Sequence, residues 1–318
     1  MTSLIAAKSS DPRFSSILPG LQTKVNSSSL GPFKQCPRKY EYQIVRGLRG
    51  RAIAIDLVFG TLVHTGDETY TKCRLGGLSH DSAVEAAIHE ALTSTWDSSV
   101  GRPQVFDHAQ KNREGLVRTL VWYFDRYGRD APDLEIVVFP DGTPAVELEF
   151  QFSSGLTSEA TGESIDFIGR LDKLVRLNGA TYIKDIKTTK SGLGTRYFDR
   201  YSPDNQFSLY VLAGQICFDV EVKGIIADAI QVGTNFSRFE RALVPRSKEV
   251  LEEWLVDARW WLRAMERCAQ DDYWPQNDKS CGLYGGCEFR EVCSMRPASR
   301  ETWLERNYVR LEMMEEVP

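Results

Sequence analysis

No apolar run in this 318-residue chain approaches the ~18 residues that a membrane-spanning helix requires, so no helical span is expected. A secretory leader is not expected either. The apolar patch near the start covers only Leu4–Ala7, too short for the core of such a signal. Positive charge is not in excess: 39 Lys and Arg stand against 44 Asp and Glu, a net charge of −5. That rules out a uniformly basic coat for nucleic acid and leaves room for a local basic groove. The chain has no internal repeat, no low-complexity linker and no Gly-x-x-x-x-Gly-Lys-Ser/Thr run, so any motor would be a separate chain. The hydrophobic share of 42% and charged share of 26% are those of an ordinary soluble globular protein, and a cytoplasmic location is expected. Seven cysteines without an export signal argue against a disulfide framework.

The basic charge that is present clusters early. Lys34, Arg38, Lys39, Arg46, Arg49 and Arg51 face a single acid, Glu41, between residues 31 and 51. The last stretch is acidic, with Glu301, Glu305, Glu312, Glu315 and Glu316 against Arg306 and Arg310.

Apolar spacing divides the chain into four parts. Residues 1–25 are polar, broken by Pro12, Pro19 and Gly20, and read as a flexible tail. Residues 26–130 are mainly helical: Ser27, Ser28 and Ser29 offer N-caps, and helical spacing recurs over 56–72, 82–96 and about 104–127. Residues 131–245 change to strand spacing over 134–139, 145–152, 164–177 and 181–188, with Asn178-Gly179 as a hairpin turn. Ser202-Pro203 predicts a helix start running to about Phe218, followed by strands at 224–233 and 236–243. Residues 246–318 open with a long amphipathic helix whose face carries Leu251, Trp254, Leu255, Ala258, Trp261, Leu262 and Met265. A single mixed α/β core with helical additions fits this order better than two separate domains.

The hairpin carries the candidate chemistry. Asp172 lies on its first strand, in Gly169-Arg170-Leu171-Asp172, and Asp185 and Lys187 lie on its second. Residues two apart on a strand share a face, so Asp185 and Lys187 point together, and Asp172 approaches them across the turn. Two hard carboxylates suit Mg²⁺ or Mn²⁺, and a lysine beside them can orient or deprotonate a water and offset phosphate charge. An isolated Asp-x-Lys is commonly surface, a lone His64 commonly core, and Gln206-x-x-x-Tyr210 commonly helix face. Their joint order carries the argument.

That order resembles the PD-(D/E)xK nuclease superfamily, in its RecB-like branch. Asp172 and Asp185-Ile186-Lys187 match the core motif. Gly60-Thr61-Leu62-Val63-His64 matches an upstream Gly-x-x-x-His, and Gln206-Phe207-Ser208-Leu209-Tyr210 matches a downstream Gln-x-x-x-Tyr. The resemblance implies a restriction-endonuclease-like α/β fold: a mixed central sheet flanked by helices, a helical N-terminal cap and a C-terminal iron–sulfur module. It implies that His64, Asp172, Asp185 and the Ile186 carbonyl bind Mg²⁺ or Mn²⁺ and that Lys187 is catalytic. Gln206 and Tyr210 would then line the DNA path, and a strand glutamate, Glu147 or Glu149, would support the first aspartate.

The cysteines Cys281, Cys287 and Cys293 are spaced by five residues each, with Gly282, Gly285 and Gly286 allowing a tight wrap. The clustering suggests a metal or cluster, and spacing alone leaves zinc and iron–sulfur open. Cys36, in Cys36-Pro37-Arg38-Lys39-Tyr40, resembles the upstream ligand of iron–sulfur nucleases of this branch. These include the AddB nuclease domain, CRISPR-associated adaptation exonucleases and the mitochondrial exonuclease V group. By that resemblance Cys36, Cys281, Cys287 and Cys293 hold a [4Fe–4S] cluster. It would pin the basic segment, with Lys34, Arg38, Lys39 and Arg46, beside a single-strand passage where Tyr40 and Tyr42 either stack on bases or pack. The implied activity is a metal-dependent DNA exonuclease acting on single strands or ends. Its setting would be recombination, repair, phage DNA processing or CRISPR adaptation, alongside a separate helicase or adaptation protein. The alternative is a non-catalytic DNA-binding or scaffold subunit of a nuclease or helicase–nuclease complex.

Overall fold

The structure is a computed structural model that describes residues 11–50, 55–99, 101–104, 108–129, 134–283 and 286–310. Arg51 and the acidic residues Glu312, Glu315 and Glu316 lie outside the described residues. In chain order the first elements are β1 (Lys24–Val25), α1 (Ser27–Gln35), α2 (Pro37–Tyr40), a π-helical turn over Glu41–Val45, and β2 (Leu48–Gly50). Then come α3 (Ile55–Leu75), α4 (His80–Ser94), the short strands β3 (Trp96–Asp97) and β4 (Arg102–Pro103), and α5 (Arg113–Tyr127). The strand-rich middle holds β5 (Glu135–Ile136), β6 (Val146–Thr157), β7 (Ser164–Leu177) and β8 (Ala180–Thr189). It continues with α6 (Thr195–Asp199), α7 (Asn205–Phe218), β9 (Val222–Val232) and β10 (Ser237–Pro245). The last elements are α8 (Lys248–Gln270), a 3₁₀ turn over Asp278–Ser280, α9 (Arg290–Ser294), α10 (Pro297–Asn307) and β11 (Tyr308–Arg310).

These elements sort into two compact units. One unit combines residues 1–52, 149–169 and 248–318; the other combines 53–148 and 170–247. Strand β7 gives its first half to the former and its second half to the latter.

The second unit is built on a mixed sheet. The second half of β7 pairs antiparallel with β5 and β8, β8 pairs parallel with β9, and β9 pairs antiparallel with β10. Asn178 and Gly179 take φ of 50° and 80°, the left-handed pair that a two-residue hairpin turn requires. Helices α3, α4 and α5 cover one face, where Phe59, Leu62, Val63, Leu116 and Leu120 pack with Ile186, Ile230 and Val232. Helix α7 covers the other, and a Cβ at Gly214 would come within 2.7 Å of Val222, so glycine permits that close approach. Burial on both faces explains why β9 is a nearly continuous apolar run rather than an alternating one. The α7 cap differs from the Ser202-Pro203 reading: Asp204 is the N-cap and accepts from the Phe207 N–H at 2.8 Å.

The first unit packs α1, α2 and α8 around aromatic residues. Phe33 meets Tyr40, Trp261 and Trp274 edge-on at centroid distances of 5.3, 6.3 and 6.2 Å. Leu251, Trp254, Ala258, Leu262 and Met265 form the buried stripe of α8, as their spacing predicts, while Leu255 and Trp261 are half-buried. Asn26, not the serines after it, caps α1, with Ser29 bonding back as a capping box. The tail reading does not hold for residues 11–25: Leu21, Gln22 and Val25 are fully buried, and β1 pairs parallel with β7. Near the other end, β11 pairs antiparallel with β2, an arrangement with no local sequence signal. Among the described residues no helix is long and apolar enough to cross a membrane.

Candidate active site

The site lies within the second unit, where the β7–β8 ladder stops. Paired residues run from Leu177 and Ala180 back to Lys173 and Lys184. The next residue on β7 is Asp172, and its Oδ2 accepts from the Ile186 N–H at 3.1 Å. A side-chain carboxylate thus takes a strand N–H where the ladder has ended, which fixes the carboxylate against β8. Asp185 and Lys187 share the α7-covered face, with Ile186 turned into the opposite core. Their register partners on β9 are Ala227 and Ala229.

Three further elements complete the group. From α3, His64 Nδ1 lies 3.1 Å from Asp172 Oδ2. From α7, Gln206 Oε1 accepts from Lys187 Nζ at 2.8 Å, and Gln206 Nε2 donates to Tyr210 Oη at 2.8 Å. The i, i+4 spacing of Gln206 and Tyr210 makes that bond possible. Lys187 Nζ also donates to Asp185 Oδ1 at 3.1 Å and lies 2.8 Å from Asp185 Oδ2. From β6, Glu147 Oε2 lies 2.9 Å from Arg170 Nε. The structure therefore brings His64, Asp172, Asp185, Lys187, Gln206 and Tyr210 into one connected set.

The two strand glutamates, indistinguishable in sequence, separate here. Glu147 takes a left-handed φ of 52°, which breaks the simple alternation of β6, and its carboxyl is half-buried among charged groups. Glu149 is exposed and belongs to the other unit. Gly60 is not sterically demanded, since a Cβ there would make ordinary contact with Thr188 at 3.7 Å.

Crowded acids dominate the electrostatics. Burial and the nearby Asp172 push Glu147 up to about 7, against the pull of Arg170. Burial pushes Asp185 up to about 6; Lys187 opposes the rise and Asp172 adds to it. Asp172 goes the other way: burial resists its charge, and the His64 contact overcomes that and lowers it. His64 rises to about 9, because Asp172 outweighs the burial that disfavours an imidazolium. Burial likewise disfavours the Lys187 ammonium, yet Asp185 and Asp172 hold it above the ordinary lysine range.

This donor set fits a hard divalent cation. Asp185 Oδ2 is buried with the Lys187 ammonium 2.8 Å away, and Asp172 and the His64 imidazole act on the same carboxylate. Among the described residues, however, no three His, Cys, Asp or Glu side chains converge as a finished metal cage. The Lys187 ammonium and the His64 ring meet the carboxylate charge instead.

Sequence reasoning missed a buried charge network on the opposite face of the same strands. Lys173 lies 2.5 Å from Asp67 on α3, and Lys184 lies 3.3 Å from Asp67 and 3.6 Å from Asp228. Tyr123 donates to Asp228 at 2.6 Å, and Arg241 reaches it at 2.9 Å. The signal was the pairing of Asp172-Lys173 with Lys184-Asp185. It reads as solvated polarity unless both sheet faces are known to be covered.

The thiols lie in the first unit. Cys36 caps α2 and accepts from the Asn277 N–H at 3.3 Å. The Cys287 N–H donates to the Cys281 carbonyl at 3.0 Å, and Arg300 donates to the Cys293 carbonyl at 3.0 Å. Burial raises the Cys287 and Cys293 thiols. Lys39 pulls the first back and Arg38 the second, while Cys36 lies near enough to raise both. All four are free cysteines. The basic residues nearby are engaged: Arg38 with Glu41 at 3.0 Å, Arg46 with Glu301 at 2.5 Å, Lys39 with Gln35 at 2.8 Å, and Lys34 over Trp261. Tyr40 and Tyr42 are buried, which settles their alternative in favour of packing.

Two known proteins show limited likeness. A structure of a "Putative exonuclease" from Eubacterium rectale superposes at a TM-score of 0.47 with 12% identity, covering 82% of this chain and 86% of that one. The von Willebrand factor A domain-containing protein 1 of Bos taurus is 31% identical over 121 residues, 35% of this chain and 27% of that protein's length. Neither similarity carries the assignment. The profile of the PD-(D/E)XK nuclease superfamily matches residues 24–294, through every strand and helix that supplies the site, and the chain belongs to that superfamily.

Proposed function

We propose that this chain is a metal-dependent DNA exonuclease that hydrolyses phosphodiester bonds of single strands or DNA ends. The observation that carries the reading is the Asp185–Lys187–Gln206 arrangement, in which a buried Asp185 carboxylate lies 2.8 Å from a Lys187 ammonium that Gln206 holds from its other side. Asp172, Asp185, His64 and the Ile186 carbonyl would hold Mg²⁺ or Mn²⁺, with Glu147 the supporting acid. When bound there, a divalent ion polarises the phosphate and lowers the pKa of the attacking water.

The chain's own groups do the rest. Asp185 and Asp172 keep Lys187 charged, so it acts as a fixed cation that orients water and offsets charge on the phosphate. Gln206 holds the ammonium by its Oε1, and Tyr210 accepts from the other end of that amide, so α7 sets where the charge points. This gives Gln206 and Tyr210 a nearer task than lining a strand path.

The four thiols would bind a [4Fe–4S] cluster. The reading rests on the resemblance of their order along the chain; among the described residues no three of these thiols converge as a finished cage. A cluster joining Cys36 to Cys281 would staple segments 245 residues apart. Lys34, Arg38, Lys39 and Arg46 would supply phosphate contacts, and recombination, repair, phage DNA processing or CRISPR adaptation is the setting, with a separate motor or adaptation protein.

An anaerobic digestion of end-labelled single strands tests this reading, with wild type beside Lys187→Ala. The expected result is Mg²⁺- or Mn²⁺-dependent loss of nucleotides from an end in the wild type alone; activity that persists in excess EDTA contradicts it. Brown protein with absorbance near ~400 nm is expected for the cluster, and colourless protein with stoichiometric zinc reverses that assignment.

A further inference from the structure

We propose that Asp67 is a positioning residue for the nuclease site: it locks α3 to the two strands that carry Asp172 and Asp185, and thereby holds His64 against Asp172. The proposal rests on the nuclease reading for its catalytic consequence only.

The argument begins with register. Lys173 and Lys184 stand directly opposite each other on β7 and β8, the last pair before the ladder ends. Like charges in that relation repel, and both are buried, at 2% and 6% exposure. Asp67 lies between them, its Oδ2 2.5 Å from Lys173 and 3.3 Å from Lys184. Its carboxylate is the charge that α3 brings to this pair, and Thr71, one turn further along α3, accepts from Lys173 as well.

Helix geometry turns this anchor into a positioning device. His64, Asp67 and Thr71 follow one another at i, i+3 and i+7, so they lie along one stripe of α3. The stripe meets consecutive strand residues: His64 contacts Asp172, and Asp67 contacts Lys173. Asp172 and Lys173 are consecutive on β7, so two contacts from one stripe of a helix on them fix both its rotation and its height. The Lys184 contact adds the neighbour of Asp185. Sliding or turning α3 enough to withdraw His64 would strip the buried lysine pair of Asp67, an arrangement that buried charge disfavours strongly.

The test uses the full chain with ¹⁵N-labelled histidine. The His64 ring is followed by NMR in excess EDTA for wild type, Asp67→Asn and Asp172→Asn, beside circular dichroism and Mn²⁺ titration calorimetry. Asp67→Asn keeps the shape and removes the charge. The expected result is a folded protein whose His64 resonances move toward those of Asp172→Asn, with Mn²⁺ binding weaker by about tenfold. Asp67→Glu, which restores the charge, is expected to recover most of that affinity, which a role in folding alone would not require. A folded Asp67→Asn with wild-type His64 resonances and Mn²⁺ affinity overturns the proposal. Should Asp67→Asn not fold, Thr71→Val removes only the second anchor of Lys173, and unchanged resonances there overturn it equally. The imidazole spectrum is read without substrate. Failure of the nuclease reading, seen as undiminished cleavage by Asp185→Ala, is therefore a separate outcome.

Discussion

In the second unit the site side chains bond to one another: His64 to Asp172, Asp172 to the β8 backbone, Lys187 to Asp185 and Gln206, and Gln206 to Tyr210. In the first unit Cys36 takes a backbone N–H, and Cys281 and Cys293 are tied to the protein by their main-chain carbonyls. The carboxylate site is thus a chain of side-chain bonds, whereas the cysteine sulfurs are held by main-chain groups: Cys36 by the Asn277 N–H, Cys281 near the Asn277 carbonyl at 3.9 Å, and Cys287 by the Phe289 backbone. The lesson is that the two sites should fail differently. Damage to the first should cost chemistry and spare the fold; damage to the second should cost the fold first.

The sharpest way to break that contrast is Asp185→Ala. Cleavage is expected to fall by ~10³-fold or more in a steady-state assay, with the melting temperature moving only a few degrees. An inactive and unfolded Asp185→Ala would erase the distinction. Cys287→Ala is the mirror test: soluble yield and protease resistance should drop and absorbance near ~400 nm should be lost, before the rate per folded molecule changes. Next in size is Gln206→Ala, which frees the Lys187 ammonium without removing it. A loss of about 10–100-fold in rate is expected, with Mn²⁺ affinity nearly kept. Smaller still is the glutamate pair: Glu147→Gln should reduce cleavage about tenfold, and Glu149→Gln should stay within about twofold of wild type. Equal effects would reject the separation seen on β6.

The smallest effect is in pH. In the metal-free protein Glu147, Asp185 and His64 have raised values of about 7, 6 and 9. Each binds more protons folded than unfolded, so each gives stability that is full below its ordinary value and lost as pH rises through its folded one. Asp67 and Asp172 are lowered, so their contribution is present above about 4 and is lost as pH falls. Melting in EDTA should therefore peak near about pH 4–5 and decline toward pH 9, and added Mn²⁺ should raise the melt more at pH 8 than at pH 5. A melt in EDTA that climbs from pH 5 to pH 8 would contradict this.

The hairpin was legible because its signals are local. Asn178-Gly179 demands a two-residue turn, and period-two spacing then puts Asp185 and Lys187 on one face. The β7 bounds match the spacing to the residue, and β8, α3 and α8 lie within a few residues of theirs. What was not legible depends on partners far away in the chain. Lys173 and Lys184 look solvated until α3 supplies Asp67. Glu147 and Glu149 look equivalent until the left-handed Glu147 breaks the alternation. The ion pairs of Arg38 with Glu41 and of Arg46 with Glu301, which a phosphate would have to displace, are not legible in the spacing either. The packed state of residues 11–25 is hidden for the same reason, since β1 gains its neighbour from residues 166 and 167.

The discontinuous make-up of the first unit sets a schedule for biosynthesis. The second unit has all of its parts once residue 247 has left the ribosome. The first cannot close until β11 emerges to meet β2, after more than two hundred and fifty intervening residues. A nascent chain that has emerged only as far as about residue 250 would present a finished second unit and a Phe33–Tyr40 aromatic surface still without Trp261 and Trp274, a species prone to aggregation.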